Sequence, residues 1–121
     1  MIQVIYISYI LFVIFLSVIP VSAGGGVQYI DKVEHTAAYC VMGVLAYISV
    51  ESLNKRIILY IFMFLLGIAI EFFQMYIPGR DASVYDAMAN TAGLALSFLL
   101  CWVFSILFKR FSVGGKGVPS L

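Results

Sequence analysis

Long uncharged runs alternate with short polar stretches along the 121-residue chain. The first run, residues 2–19, carries no charge and is followed by Pro20. A membrane core about 30 Å thick is crossed by about 20 apolar helical residues, so this run predicts a first spanning helix. Residues 21–23 resemble a signal-peptidase site, but the basic segment that precedes the apolar core of a signal peptide is missing. We therefore predict that the helix is retained.

Three more helices are predicted beyond a flexible loop at residues 24–26. The second covers residues 32–53, with Asp31 as its N-cap and Glu34 in the capping position. A polar turn at residues 54–56 leads to a third helix over residues 57–77, which Pro78 and Gly79 end. Ser83 caps a fourth helix that continues to about residue 108. The pattern predicts an all-α membrane protein with four transmembrane helices in an antiparallel bundle, a single domain over residues 1–111 and a flexible tail over 112–121.

Composition supports a membrane protein. Hydrophobic residues make up 64% of the chain and charged residues 11%, whereas soluble domains average about 45–50% apolar and about 25% charged residues. The net charge of +1 gives no basic surface for nucleic acid. We expect membrane lipids as partners, with no nucleic acid and no cofactor. The sequence does not decide whether the protein forms a homo-oligomer.

The distribution of basic residues predicts the orientation of the bundle. One side holds Lys55, Arg56, Lys109, Arg110 and Lys116, and the opposite side holds Lys32 and Arg80. Basic residues concentrate in cytoplasmic loops, so both termini are predicted in the cytoplasm of a multi-pass protein of the plasma (inner) membrane. The unusual polar residues then gather at the extracytoplasmic ends of three helices.

These polar residues form the candidate site, because charged side chains beside hydrocarbon are costly and by default mark function. The pairs Asp31/His35 and Asp86/Asn90 are spaced i, i+4, and Glu71/Gln74 are spaced i, i+3, so each pair shares a helical face. The Asp86/Asn90 stripe continues through small residues at 93 and 97, which allow close helix contact in lipid.

The motifs resemble those of the VanZ-like family of small membrane proteins. They comprise Asp31-Lys32-x-x-His35-x-x-x-Tyr39, Glu71-x-x-Gln74, Pro78-Gly79-Arg80 and Ser83-x-x-Asp86-x-x-x-Asn90-Thr91-x-Gly93. The resemblance implies a bacterial-type membrane protein whose founding member is linked to low-level teicoplanin resistance, a glycopeptide resistance. Other relatives occur beside cell-envelope functions. It implies no settled reaction.

We predict that the pocket binds or modifies a polar lipid headgroup or envelope precursor. Lys32 and Arg80 would bind phosphate or carboxylate, while Gln74 and Asn90 orient sugar or amide groups. In an enzymatic version His35 is the general acid or base, and Asp31 or Glu71 holds its ring. Arg80 stabilises developing negative charge, and Asp86 belongs to the catalytic set. Whether the protein is an enzyme stays open.

Three alternatives compete with this prediction. The polar residues could only lock the bundle, as a structural or interaction protein would use them. The chain could be a small transporter subunit, although it shows no inverted repeat. Asp31, His35, Glu71 and Asp86 are also possible ligands of a divalent metal, but the spacing is generic and no metal is assigned.

Overall fold

Four α-helices form the part of the protein that the computed structural model describes, residues 1–20 and 28–114. They are α1 (Ile2–Val18), α2 (Gln28–Ser49), α3 (Leu53–Gln74) and α4 (Val84–Gly114). These residues contain no strand, so the all-α prediction is confirmed for them. The predicted loop at residues 24–26 lies outside the described residues.

The end of α1 follows from Pro20. The residue before a proline is disfavoured in the helical conformation, and Ile19 has extended backbone angles of φ −69° and ψ 130°. The described helix therefore agrees with the predicted run to within one residue.

The start of α2 was predicted wrongly. The helix begins at Gln28, so Asp31 lies within its first turn and is not its N-cap. A carboxylate in the first turn still interacts favourably with the positive end of the helix dipole. The capping-box spacing alone could not distinguish a cap from a first-turn acid.

The connection between α2 and α3 also differs from the prediction. The helix α2 ends at Ser49 and α3 begins at Leu53, so the predicted polar turn at residues 54–56 forms the first turn of α3. The Arg56 Nε–H donates to the carbonyls of Tyr47 and Val50, at 2.9 and 3.0 Å, and the guanidinium stacks 3.9 Å from the Tyr47 ring centroid. Arg56 thus satisfies carbonyls that a helix C-terminus leaves without partners, which permits the shorter connection.

Ser83 caps α4 as predicted. Its Oγ accepts a hydrogen bond from the Tyr85 backbone N–H at 3.2 Å, and the preceding turn contains Gly79 at φ 78°, a conformation that favours glycine. The helix runs to Gly114, beyond the predicted domain boundary at residue 111. Residues 115–121 of the predicted tail lie outside the described residues.

The closest packing is between α2 and α4. A side chain at Gly93 would meet the Thr36 carbonyl and, at 3.0 Å, the Cys40 nitrogen. A side chain at Gly43 would meet the hydroxyl of Ser97, which is fully buried. The predicted small-residue stripe of α4 is therefore where the two backbones approach each other.

Two described helices are long and apolar enough to cross a membrane. The most apolar segments of Leu53–Gln74 and Val84–Lys109 have mean hydropathies of 2.2 and 2.1, and only 28% and 17% of these segments are buried inside the protein. The helix α1 is apolar but shorter, at 17 residues. These features indicate a membrane protein, with two spanning helices by this criterion where the sequence predicted four.

Candidate functional site

A cluster of polar side chains lies where α2 and α4 begin and α3 ends. We call it the polar cluster; its members are Asp31, Lys32 and His35 from α2, Glu71 from α3, and Asp86 and Asn90 from α4. The sequence predicted that these six residues gather from three helices, and the structure brings them together. All six belong to the predicted catalytic and ligand-binding sets.

Lys32 and Asp86 join α2 to α4 through an ion pair. The Lys32 ammonium donates a hydrogen bond to Asp86 Oδ1 and lies 4.0 Å from Asp31 Oδ2. The Asp86 side chain is almost completely buried, whereas one third of the Lys32 side chain and about half of the Asp31 side chain are exposed. The ammonium is therefore already engaged by a buried carboxylate.

His35 lies at the centre of the polar cluster. Its Nδ1 is 2.9 Å from Asn90 Oδ1 and 4.0 Å from Glu71 Oε1, and its Nε2 is 3.7 Å from Asp31 Oδ1. An amide oxygen only accepts hydrogen bonds, so Nδ1 carries a hydrogen that it donates to Asn90. Both ring nitrogens thus face carboxylate or amide oxygens.

Glu71 is buried, and only one of its two carboxylate oxygens accepts a hydrogen bond from a described residue. Only 7% of the residue is exposed. Its Oε2 accepts the Ser83 backbone N–H at 3.3 Å, but its Oε1 has no hydrogen-bond partner among the described residues. The hydroxyl of Tyr39, one turn from His35 along α2, is likewise buried without such a partner. Unsatisfied buried polar atoms are costly and rare, and both of these oxygens have hydrogen-bonding capacity available for a further partner.

The polar cluster has more acidic than basic groups. Asp31, Glu71 and Asp86 offer three carboxyl groups against the single ammonium of Lys32. Burying charge without compensation costs several kcal/mol for each ion. The arrangement therefore favours a cation, a hydrogen-bond donor or added protons more than a free anion.

Gln74 and Arg80 lie outside the polar cluster. The Gln74 Nε2 donates to the Ser17 carbonyl at 3.1 Å, and the Arg80 guanidinium donates to the carbonyls of Leu16 and Ile19, at 2.6 and 3.2 Å. Both were predicted in the ligand-binding set beside Lys32. In the structure both side chains instead donate hydrogen bonds to carbonyls at the end of α1. The C-terminus of a helix has unsatisfied carbonyl acceptors and attracts cations.

A second polar network lies deeper and was not part of the predicted site. The Tyr60 hydroxyl is 2.8 Å from the Gly43 carbonyl and 2.9 Å from Ser97 Oγ. Ser97 belonged to the predicted stripe, but Tyr60 stands in an uninterrupted apolar run, so no local signal distinguished it. These bonds connect α2, α3 and α4 below the polar cluster.

Apolar grooves follow the outside of the α3–α4 seam. One of about 290 Å³ includes Tyr60, Phe64 and Phe98 in its wall. A second of about 360 Å³ includes Phe64, Ile68 and Val84. They share Phe64 and Thr91, so together they extend along much of α3 and reach the start of α4.

The described residues define an all-α protein with two helices long and apolar enough to cross a membrane and with a buried acidic site. Comparison with known families then gives its family: residues 3–107 match the VanZ/LLP1 model, and the chain belongs to that family. The predicted resemblance is thereby confirmed. Searches of curated proteins and of solved structures found no match.

Proposed function

We propose that the protein is a multi-pass cell-membrane protein whose polar cluster binds or modifies a lipid headgroup or a lipid-linked envelope precursor at the extracytoplasmic face. The observation that carries this proposal is a buried, incompletely satisfied polar cluster in a molecule whose exposed side chains are largely apolar. Burial of several ionisable groups in a membrane protein is expensive and is retained where it serves a function.

A ligand with a polar and an apolar part suits these surroundings. Large apolar side chains such as Phe72, Phe73 and Met88 are more than half exposed near the polar cluster, and the grooves beside α3 and α4 are apolar. A lipid can keep its chains in these surroundings while its headgroup enters the polar cluster. A fully water-soluble ligand would leave the apolar surroundings unused.

Within this proposal, three members of the polar cluster make the direct contacts. Lys32 and the Asn90 amide donate to headgroup oxygens, and Glu71 Oε1 accepts from a headgroup amine or hydroxyl. If the protein is an enzyme, His35 is the group positioned for proton transfer, and Asp31 and Asp86 complete the catalytic set. Arg80 and Gln74 hydrogen-bond to the end of α1, and we no longer include them among the ligand-binding residues.

A structural role is the second candidate, and specific bonds favour it. The Lys32–Asp86 ion pair and the His35–Asn90 hydrogen bond both connect α2 to α4. An interhelical hydrogen bond in a membrane contributes about 0.6 kcal/mol on average. In that case loss of any of these side chains would loosen the bundle and change nothing else.

Lipid retention separates the two candidates. The wild type and the His35→Ala and Asn90→Ala variants are purified in a mild non-ionic detergent, and co-purified lipids are quantified by mass spectrometry. Vesicles containing a phosphatidylglycerol, a phosphatidylethanolamine or a polyprenyl phosphate then serve as defined probes. We expect the wild type to retain one lipid class at about one molecule per chain and both variants to lose at least about tenfold in affinity, which corresponds to about 1.4 kcal/mol.

The same experiment includes controls for the folding of each variant and for the position of the lipid-binding site. Helical circular dichroism and thermal unfolding report whether each variant is folded, and Arg80→Gln tests a polar residue outside the polar cluster. Folded His35 and Asn90 variants that retain lipid as the wild type does would overturn the binding proposal. Loss of lipid in Arg80→Gln at unchanged stability would show that the binding site lies at the end of α1 instead.

A further inference from the structure

An unpartnered carboxylate oxygen faces the centre of the polar cluster. The Glu71 side chain is only 9% exposed, and its Oε1 is directed towards His35, 4.0 Å from Nδ1. No described residue donates a hydrogen bond to this oxygen. Three carboxyl groups of the polar cluster share the single ammonium of Lys32. This excess of oxygen acceptors suits a bound cation.

The hydrogen bonding of His35 leaves its second nitrogen free to act as a metal ligand. Nδ1 donates to Asn90 Oδ1, so the neutral ring has its lone pair on Nε2. This nitrogen faces the Asp31 carboxylate at 3.7 Å, and two electron pairs facing each other repel unless a cation or proton lies between them. Metal-binding histidines characteristically donate their other ring N–H to an oxygen acceptor in this way.

The distances suit a small cation. Two ligands that each lie about 2.0–2.1 Å from a metal are separated by roughly 3.0–3.4 Å, close to the observed His35–Asp31 distance of 3.7 Å. Ligand atoms of Asp31, His35 and Asp86 all lie within 4.8 Å of one another. Lys32 uses one oxygen of Asp86, and a carboxylate has further lone pairs available.

We infer that Asp31, His35 and Asp86 form a binding site for one divalent transition-metal ion, beside the buried and unpartnered Glu71 Oε1. A donor set of one imidazole and carboxylates suits Mn²⁺ or Zn²⁺ better than Mg²⁺, which prefers oxygen alone. The inference concerns the same side chains as the proposed function but requires no lipid ligand. Asn90 is a positioning residue, because it holds the imidazole through Nδ1.

Metal titration of the whole protein tests this inference. Protein in non-ionic detergent is stripped with a chelator and titrated with Mn²⁺, followed by electron paramagnetic resonance, and with Zn²⁺, followed by calorimetry; empty micelles give the blank. We expect one ion per chain and at least about tenfold weaker binding of Mg²⁺. Asp31→Asn and His35→Gln should each weaken binding of Mn²⁺ and Zn²⁺ at least about tenfold.

Two acidic residues outside the polar cluster provide matched controls. Glu34 and Asp81 are exposed and form no ion pair with any described residue, so Glu34→Gln and Asp81→Asn should bind metal as the wild type does. The inference is overturned if the stripped wild type takes up less than one ion, if Mg²⁺ binds equally well, or if the controls weaken binding as much as His35→Gln. No lipid is added in the metal titration, so a negative metal result does not change the lipid-retention result. A negative lipid-retention result likewise does not change the metal result.

Discussion

At the scale of single residues, Glu71 shows how the site departs from what stability alone would select. A buried carboxylate beside two others and without a full set of hydrogen bonds opposes folding. Asp86 differs, because its carboxylate is satisfied by the Lys32 ammonium. The two acids therefore have opposite roles in the free energy of unfolding, although both are almost completely buried.

Replacement of each acid by its amide separates these roles. With a chelator present for both proteins, we expect the unfolding temperature of Glu71→Gln to equal or exceed that of the wild type. The amide oxygen still accepts the Ser83 hydrogen bond, and a buried charge is removed. We expect Asp86→Asn to lose about 1–3 kcal/mol, because the Lys32 ammonium loses its charged partner. Thermal unfolding followed by helical circular dichroism measures both. A lower stability for Glu71→Gln than for Asp86→Asn would contradict this assignment.

The identities of the clustered residues could be predicted from the sequence, but their partners could not. Membrane burial makes every charged residue near an apolar run conspicuous, and helical spacing shows which of them share a face. Arg80 illustrates the limit, because a cation beside an acidic site and a cation on a helix C-terminus look alike in sequence. Only the position of α1 decided that its guanidinium contacts Leu16 and Ile19.

At the scale of elements, the contact between α2 and α4 determines the geometry of the polar cluster. Gly93 brings the two backbones together one turn below Asn90, and this approach places His35 within hydrogen-bonding distance of Asn90. The spacing of small residues predicted that α4 has a close-packing face. That α2 is its partner follows from the three-dimensional arrangement.

Gly93→Ala tests this contact. The new Cβ would meet the backbone of Thr36 and Cys40, which cannot rotate away, so the helices must move apart. We expect a net loss of up to about 2 kcal/mol in thermal unfolding, since overpacking costs about 1–3 kcal/mol and alanine favours a helix by about 1 kcal/mol over glycine.

Gly67→Ala is the matched control, because it lies in α3 and the three atoms nearest to its Cβ would all belong to the Tyr39 side chain, at 3.1–3.4 Å. A side chain can shift by a few tenths of an ångström, so the change in stability should be small. Equal destabilisation by both substitutions would show that backbone contact is not what limits the approach of α2 to α4.

At the scale of the whole molecule, the antiparallel order of the helices brings polar segments that are distant in sequence to one end. The start of α2, the end of α3 and the start of α4 meet there, and α1 ends at the same level through Arg80 and Gln74. The distribution of basic residues predicts that this end is extracytoplasmic. We therefore predict that both termini lie in the cytoplasm, on the other side of the membrane from the polar cluster.

Cysteine labelling tests the orientation. The natural thiols of Cys40 and Cys101 are free and are first replaced by alanine, and Glu51→Cys or Asp81→Cys then places one thiol in an exposed connection. We expect an impermeant maleimide to label the Asp81→Cys variant in intact cells and the Glu51→Cys variant only after permeabilisation. The reverse pattern would invert the topology, and equal labelling in intact cells would contradict a spanning α3.

The sequence by itself indicated that the chain is helical, that it resembles the VanZ-like family, and which eight polar residues to consider for the site, because long apolar runs, turn residues and helical spacing are local properties. Six of the eight gather in the polar cluster. Tertiary structure decided what each of those residues contacts. It assigned Arg80 and Gln74 to the end of α1, paired Lys32 with Asp86, and left one oxygen of Glu71 without a partner. Such contacts join residues more than 50 positions apart, so their distances depend on how closely helices pack, which no local pattern contains.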